Sequence, residues 1–248
     1  MSGIHISRAR QEHAALPDST IHVPLTVIAP ETKPRGGLVF LHEMRDFHEP
    51  LLQFMHELAD DGWLVGAPHL FHRQPPDQYS PVFGQELFDD AEATRTWLSE
   101  HGVDADCVGI IGFDSAGTAA AHVATERAYG AAVSIAPHGI REPLTNDATP
   151  LLKVIPYLQT PWLGIFGEDD PKTPPDDVQE LRNAALRAPV ATLLVDYPGL
   201  AHRPDDGFGM ESWHDVDDID EFANEFSPDS SVTAAKQHIF EWFDSNLR

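Results

Sequence analysis

The 248-residue chain carries 16 Lys+Arg against 40 Asp+Glu, a formal net charge of −24; such a field repels phosphate backbones and anionic headgroups, which excludes nucleic acid and membrane surfaces as expected partners. A hydrophobic fraction of 42% supplies a substantial core and excludes wholesale disorder. The single cysteine, Cys107, excludes an intrachain disulfide and any multi-cysteine metal site.

Residues 1–13 are polar with no apolar run of the kind a secretory leader needs. No window reaches the roughly 18 apolar residues of a membrane span, so a cytoplasmic location is expected. Short apolar runs at 21–28, 37–42, 63–68, 107–113, 131–136, 161–167 and 191–197 predict strands. Amphipathic stretches at 49–61, 85–101, 115–128, 175–187 and 232–246 predict the helices that join them. Strands such as Val108-Gly109-Ile110-Ile111-Gly112-Phe113 are apolar on both faces, as a parallel sheet covered by helices requires. The fold class is therefore α/β, a doubly wound and mostly parallel sheet, and the length fits a single domain over 1–248, since such folds commonly use about 200 to 250 residues as one unit.

Two stretches break this rhythm. Residues 73–79 are rich in Pro and polar groups, and 202–231 carry an acidic run around Asp215, Asp217, Asp218 and Asp220, which reads as a solvated excursion or a lid. High aspartate with only four lysines fits either a protein kept soluble at high salt or an ordinary acidic enzyme.

Ligands of open parallel sheets bind outside the carboxyl ends of the strands. Those positions hold His42 and Glu43, then His69 with His72 and Arg73, then Asp114, Asp169 with Asp170, and His202. The sharpest pattern is Gly112-Phe113-Asp114-Ser115-Ala116-Gly117, between an apolar strand and a helix of small residues. A nucleophile elbow needs a tight strand-to-helix turn with small residues around the exposed side chain, because the two backbones nearly touch. Gly112, Ala116 and Gly117 meet that demand around Asp114, whereas a turn centred on Ser115 would need Phe113 to be small. Hydrolases of this layout run nucleophile, acid, histidine along the chain, so Asp170 would orient His202 as general base.

These stretches, with Leu41-His42-Glu43, Gly66-Ala67-Pro68-His69-Leu70-Phe71-His72-Arg73, Gly167-Glu168-Asp169-Asp170-Pro171 and Tyr197-Pro198-Gly199-Leu200-Ala201-His202, resemble the dienelactone hydrolase family over most of the chain. The resemblance implies an α/β-hydrolase fold that opens lactones and related esters through a cysteine nucleophile, with Asp170 and His202 as acid and base and Glu43 as the glutamate beside the nucleophile. It implies Arg73 as an anchor for a substrate carboxylate, hence a small anionic substrate. Arg203 stands next to His202, closer than the family's second anchoring arginine. The family's cysteine position holds Asp114, and Cys107 lies at the start of the same strand.

A carboxylate attacking a carbonyl would form an anhydride, so thiol-ester chemistry does not transfer. A carboxylate can instead attack a saturated carbon, displacing halide or opening an epoxide, and leave an alkyl ester that water activated by His202 hydrolyses. Backbone N–H groups of Ser115 and Met44 would form the oxyanion hole, and His69 would line the substrate site. Three alternatives stay open: Asp114 as a helix cap at positive φ, a ligand-binding descendant without catalysis, and a lyase or isomerase in which Asp114 and Glu43 move protons. Arg73 could equally pair with Glu43 or Asp114. Fourteen histidines raise the question of a metal, but no tight helical His pair is present, and no cofactor is expected. The expected partner is a small molecule, with the chain a monomer or small homo-oligomer.

Overall fold

In the computed structural model, which describes residues 8–16, 20–43, 45–75, 83–126, 129–146, 148–198, 200 and 228–247, eight strands form one sheet. They are β1 (Arg10–Ala15), β2 (His22–Ile28), β3 (Gly36–Leu41), β4 (Trp63–Pro68), β5 (Val108–Phe113), β6 (Ala131–Ile135), β7 (Trp162–Gly167) and β8 (Thr192–Tyr197). Their spatial order is β1-β2-β4-β3-β5-β6-β7-β8. The β1–β2 and β2–β4 pairs are antiparallel, and every pair from β4 onward is parallel. Strands β3 to β7 are buried along their whole length, because helices cover both faces.

The α-helices among the described residues are α1 (Glu49–Asp60), α2 (Gln85–Glu100), α3 (Asp114–Glu126), α4 (Leu151–Val154), α5 (Pro175–Ala185) and α6 (Pro228–Asn246). Helix α1 starts where His48 Nδ1 accepts the Leu51 N–H at 3.4 Å, and it buries Leu51, Phe54, Met55 and Leu58, one stripe at helical spacing. It stops at Gly62, whose φ of 100° continues no helix. Leu51, Phe54 and Leu58 of α1 pack with Ala235, Ile239 and Phe243 of α6 on one face of the sheet. On the other face, Leu87 and Trp97 of α2 pack with Ala119 and Ala120 of α3 and Leu181 of α5. Ser134 ties the second face together: its hydroxyl donates to the Gly117 carbonyl at 2.7 Å and accepts from the Trp162 indole at 2.9 Å, joining α3, β6 and β7 through one buried oxygen.

The predicted strand at 63–68 has the observed bounds, and the other six differ by a residue at one or both ends. Strand β1 was not anticipated; only Ala14 of its side chains is buried, too little for a periodic signal. The strand predicted from 107 begins at Val108, because residues Ala105–Cys107 close a 3₁₀ turn that leaves Cys107 half-buried. Most of the acidic stretch at 202–231 lies outside the described residues. Among those residues, no helix is long and apolar enough to cross a membrane.

Candidate active site

The parallel strands all point their carboxyl ends at one edge, and on that edge β5 turns into α3 at Asp114. Its φ is 54°, in the left-handed region where Asp is tolerated, and α3 starts from it directly. The surrounding small residues are required sterically. A Cβ on Gly112 would sit 2.2 Å from the Ala116 carbonyl oxygen, and one on Gly117 would sit 2.9 Å from the Gly112 oxygen. The turn therefore closes only with glycine at 112 and 117, and it leaves the Asp114 side chain 15% exposed. Ser115, half-buried, follows in the first turn of α3.

The neighbouring strand repeats the bend. Register pairs Phe113 with Ile135, so Asp114 and Ala136 leave β5 and β6 side by side. Ala136 has φ 47°, and these two are the non-glycine residues at positive φ among those described. The turn through Ala136 and Pro137 carries His138 back over the elbow, where its Nε2 lies 3.2 Å from Asp114 Oδ1. The Thr118 hydroxyl, one helical turn past Asp114, donates to the His138 carbonyl at 2.6 Å and fixes this loop to α3. His138 was not among the residues picked out from the sequence, although it stands just past a predicted strand, where the same rule would have found it.

Across β5 on its other side, register pairs Leu41 with Gly112, which brings Glu43 to the level of Asp114 along the sheet. His42 is fully buried against Phe113, with ring centroids 5.1 Å apart. Glu43 is half-buried, with Oε1 inaccessible to water. His69, just beyond β4, is stacked on Phe47 at 4.9 Å and bonded through Nε2 to the Thr26 hydroxyl at 2.9 Å. Burial holds its pKa below the ordinary value.

Arg73 is engaged elsewhere. Its two terminal nitrogens reach both oxygens of Asp90, on α2, at 2.8 and 2.7 Å, and His72 Nε2 approaches the same carboxylate at 3.2 Å. The Asp90 side chain has no exposed surface, so the pair is a buried fork, and the hydrogen bonds to Asp90 raise the guanidinium pKa further. The partner is thus Asp90 rather than Glu43 or Asp114. Arg45 links the loops on this side, donating to the Pro75 carbonyl at 2.8 Å with its guanidinium over the Phe71 ring.

Asp170, 3% exposed, lies in the turn after β7. Its Oδ1 accepts the Lys172 N–H at 2.8 Å and its Oδ2 the Thr173 hydroxyl at 3.1 Å. The same turn grips the chain leaving β8, for Glu168 N–H donates to the Tyr197 carbonyl at 3.0 Å and Asp169 N–H to the Leu200 carbonyl at 3.3 Å. His202 and Met44 lie outside the described residues. No group of three or more potential metal ligands comes together among the described residues.

The sequence profile of the dienelactone hydrolase family matches residues 24–243. A Yersinia pestis protein, named as a candidate carboxymethylenebutenolidase, is 26% identical over 219 residues, covering 81% of this chain and 79% of the relative. Among solved structures, a candidate dienelactone hydrolase from Klebsiella pneumoniae superposes with a TM-score of 0.77 at 24% identity, covering 95% of this chain and 98% of that one. A dienelactone hydrolase-like promiscuous phosphotriesterase from metagenomic libraries follows with a TM-score of 0.66 at 17% identity, covering 97% and 98%. These two likenesses establish a shared fold.

Proposed function

The chain belongs to the dienelactone hydrolase family and is a hydrolase; on that premise we propose that it cleaves a small substrate at a saturated carbon through a covalent ester on Asp114. The observation that carries this reading is the carboxylate itself, held at φ 54° at the strand-to-helix bend and still partly exposed. In the first step an Asp114 oxygen bonds to the carbon and the leaving group departs with its electron pair. In the second, His202 takes a proton from water, the hydroxide adds to the Asp114 ester carbonyl, and the product alcohol leaves as the carboxylate re-forms. The Ser115 N–H in the first turn of α3, with that of Met44, would receive the oxyanion, a contribution of about 3 to 4 kcal/mol per donor in measured systems.

Support for His202 as base comes from the chain before it. The Leu200 carbonyl, two positions earlier in the chain, is bonded to the N–H of Asp169, the residue before Asp170. The expectation of an anionic substrate rests on Arg73, and Asp90 already balances that charge. With Asp114 and Glu43 at the same edge, a substrate bringing no further negative charge is the better match.

A second reading has Asp114 and Glu43 moving protons without a covalent bond, and the register that brings both residues to one level just past the ends of adjacent strands favours it. One experiment separates them. A single turnover of styrene oxide or 1-bromobutane in H₂¹⁸O with enzyme in excess, followed by mass spectrometry of the peptide bearing Asp114, puts ¹⁸O into that carboxylate if the ester forms. Turnover without label sinks the covalent reading in favour of proton transfer.

A further inference from the structure

We infer that His138 is the catalytic acid that protonates the leaving oxygen when Asp114 attacks, so that the bond broken is carbon to oxygen in a small strained ring ether, an epoxide, rather than carbon to halogen. The inference rests on the covalent reading of Asp114 and adds a residue and a substrate class to it.

Five imidazoles stand at the carboxyl edge among the described residues, and their surroundings separate them; His48 caps α1, its Nδ1 accepting the Leu51 N–H. His42 is buried against Phe113. His69 is stacked on Phe47 and bonded to Thr26, and His72 is turned to Asp90. Of the five, His138 is the one with a ring nitrogen beside Asp114, Nε2 lying 3.2 Å from Oδ1; Nε2 is buried, while the side chain as a whole is 19% exposed.

The backbone is committed to that placement. Ala136 adopts φ 47° although it has a Cβ, and such strain persists only where the surroundings enforce it. They do so here through three bonds: the Ala136 N–H to the Ile165 carbonyl at 2.8 Å, the Thr118 hydroxyl to the His138 carbonyl, and the Leu151 N–H to the Gly139 carbonyl at 2.9 Å. A histidine needed only as surface covering would not require both flanks pinned and Ala136, two residues earlier, strained.

The chemistry follows from position. As a carboxylate oxygen bonds to an epoxide carbon, the ring C–O bond breaks and its electron pair moves to oxygen. An alkoxide leaving group demands a proton, which imidazolium Nε2–H beside the nucleophile supplies. Bromide or chloride leaves as a stable anion and demands none. Hydrolysis of the Asp114 ester then releases the diol, the carboxylate and one proton, and that proton restores His138. The sum is epoxide plus water to diol, with every group returned to its starting state.

The test compares two electrophiles on one enzyme. Rapid-quench mass spectrometry follows alkylation of Asp114 by styrene oxide and by 1-bromobutane in wild type and in His138→Gln, which keeps an N–H donor but cannot transfer a proton at neutral pH. We expect His138→Gln to slow alkylation by the epoxide about 10²- to 10⁴-fold and to leave that by the bromide unchanged. In wild type, which needs no variant to fold, alkylation by the epoxide should be slower in D₂O and that by the bromide should not. Wild-type alkylation by the epoxide with no loss in the variant, an equal loss for both electrophiles, or no difference between the solvents overturns the role of His138 and leaves the covalent reading standing. No adduct on Asp114 from either compound overturns both.

Discussion

Arg73 and Asp90 form a two-pronged ion pair, with guanidinium nitrogens 2.8 and 2.7 Å from the oxygens of a carboxylate that has no exposed surface. Removing one partner of such a pair leaves the other uncompensated, which costs more than the pair contributes. Asp90→Ala is expected to lower the unfolding free energy by about 3–5 kcal/mol, read as a fall in the urea midpoint at unchanged slope. A loss below about 1 kcal/mol would place this pair with exposed ones, which contribute little.

Asp114→Asn separates chemistry from shape. Asparagine tolerates positive φ as aspartate does, so the elbow should keep its geometry and the urea midpoint should stay close to wild type. The amide is a poor nucleophile, and single-turnover rates on any substrate that labels wild type should fall by at least about 10³-fold. A variant that stays stable and active would assign Asp114 to capping alone.

Two glycines test the steric reading of the bend. An added Cβ on Gly112 meets the Ala116 carbonyl oxygen at 2.2 Å, a backbone atom that cannot swing aside. Gly112→Ala is therefore expected to cost about 3 kcal/mol or more, the upper end for overpacking. At Gly102, with φ 87° and nothing within 4 Å, Gly102→Ala carries only the conformational cost of about 1–2 kcal/mol. Equal urea midpoints for the two variants would contradict the close approach of β5 and α3.

His69 gives the stability a pH dependence of known sign. Burial holds its folded-state pKa below 6.5, so between the two values the unfolded chain binds the proton more readily than the folded one. Its contribution is full above the unfolded value and is lost as pH falls through the folded one. The difference in urea midpoint between pH 7.5 and pH 5, as rough brackets of that range, should shrink in His69→Gln relative to wild type. An undiminished difference would remove His69 from the acid sensitivity of the fold.

Much of this architecture is readable from pattern because its causes are local. Strands apolar on both faces and helices with one apolar stripe announce a covered parallel sheet, and the steric demand at Asp114 is written into Gly112, Ala116 and Gly117. The Arg73 partner is not readable in that way. Asp90 sits on a helix that also carries Glu86, Asp89 and Glu92, and only the three-dimensional approach of the turn after β4 picks it out. Strand β1 escaped because edge pairing through the backbone needs no apolar side chains. His138 had the right address after a strand, but its role depends on a left-handed alanine, which no residue preference announces.

The two left-handed residues, Asp114 and Ala136, share a further property, for neither bend is held by its own residue type alone. Both depend on the layer beneath, where the Ser134 hydroxyl clasps Gly117 and Trp162. The rim is thus like a sprung catch mounted on a stiff plate: loosening the plate slackens the catch before the whole gives way. On warming, catalytic competence should decline some degrees ahead of the cooperative melt, and Ser134→Ala should widen that interval.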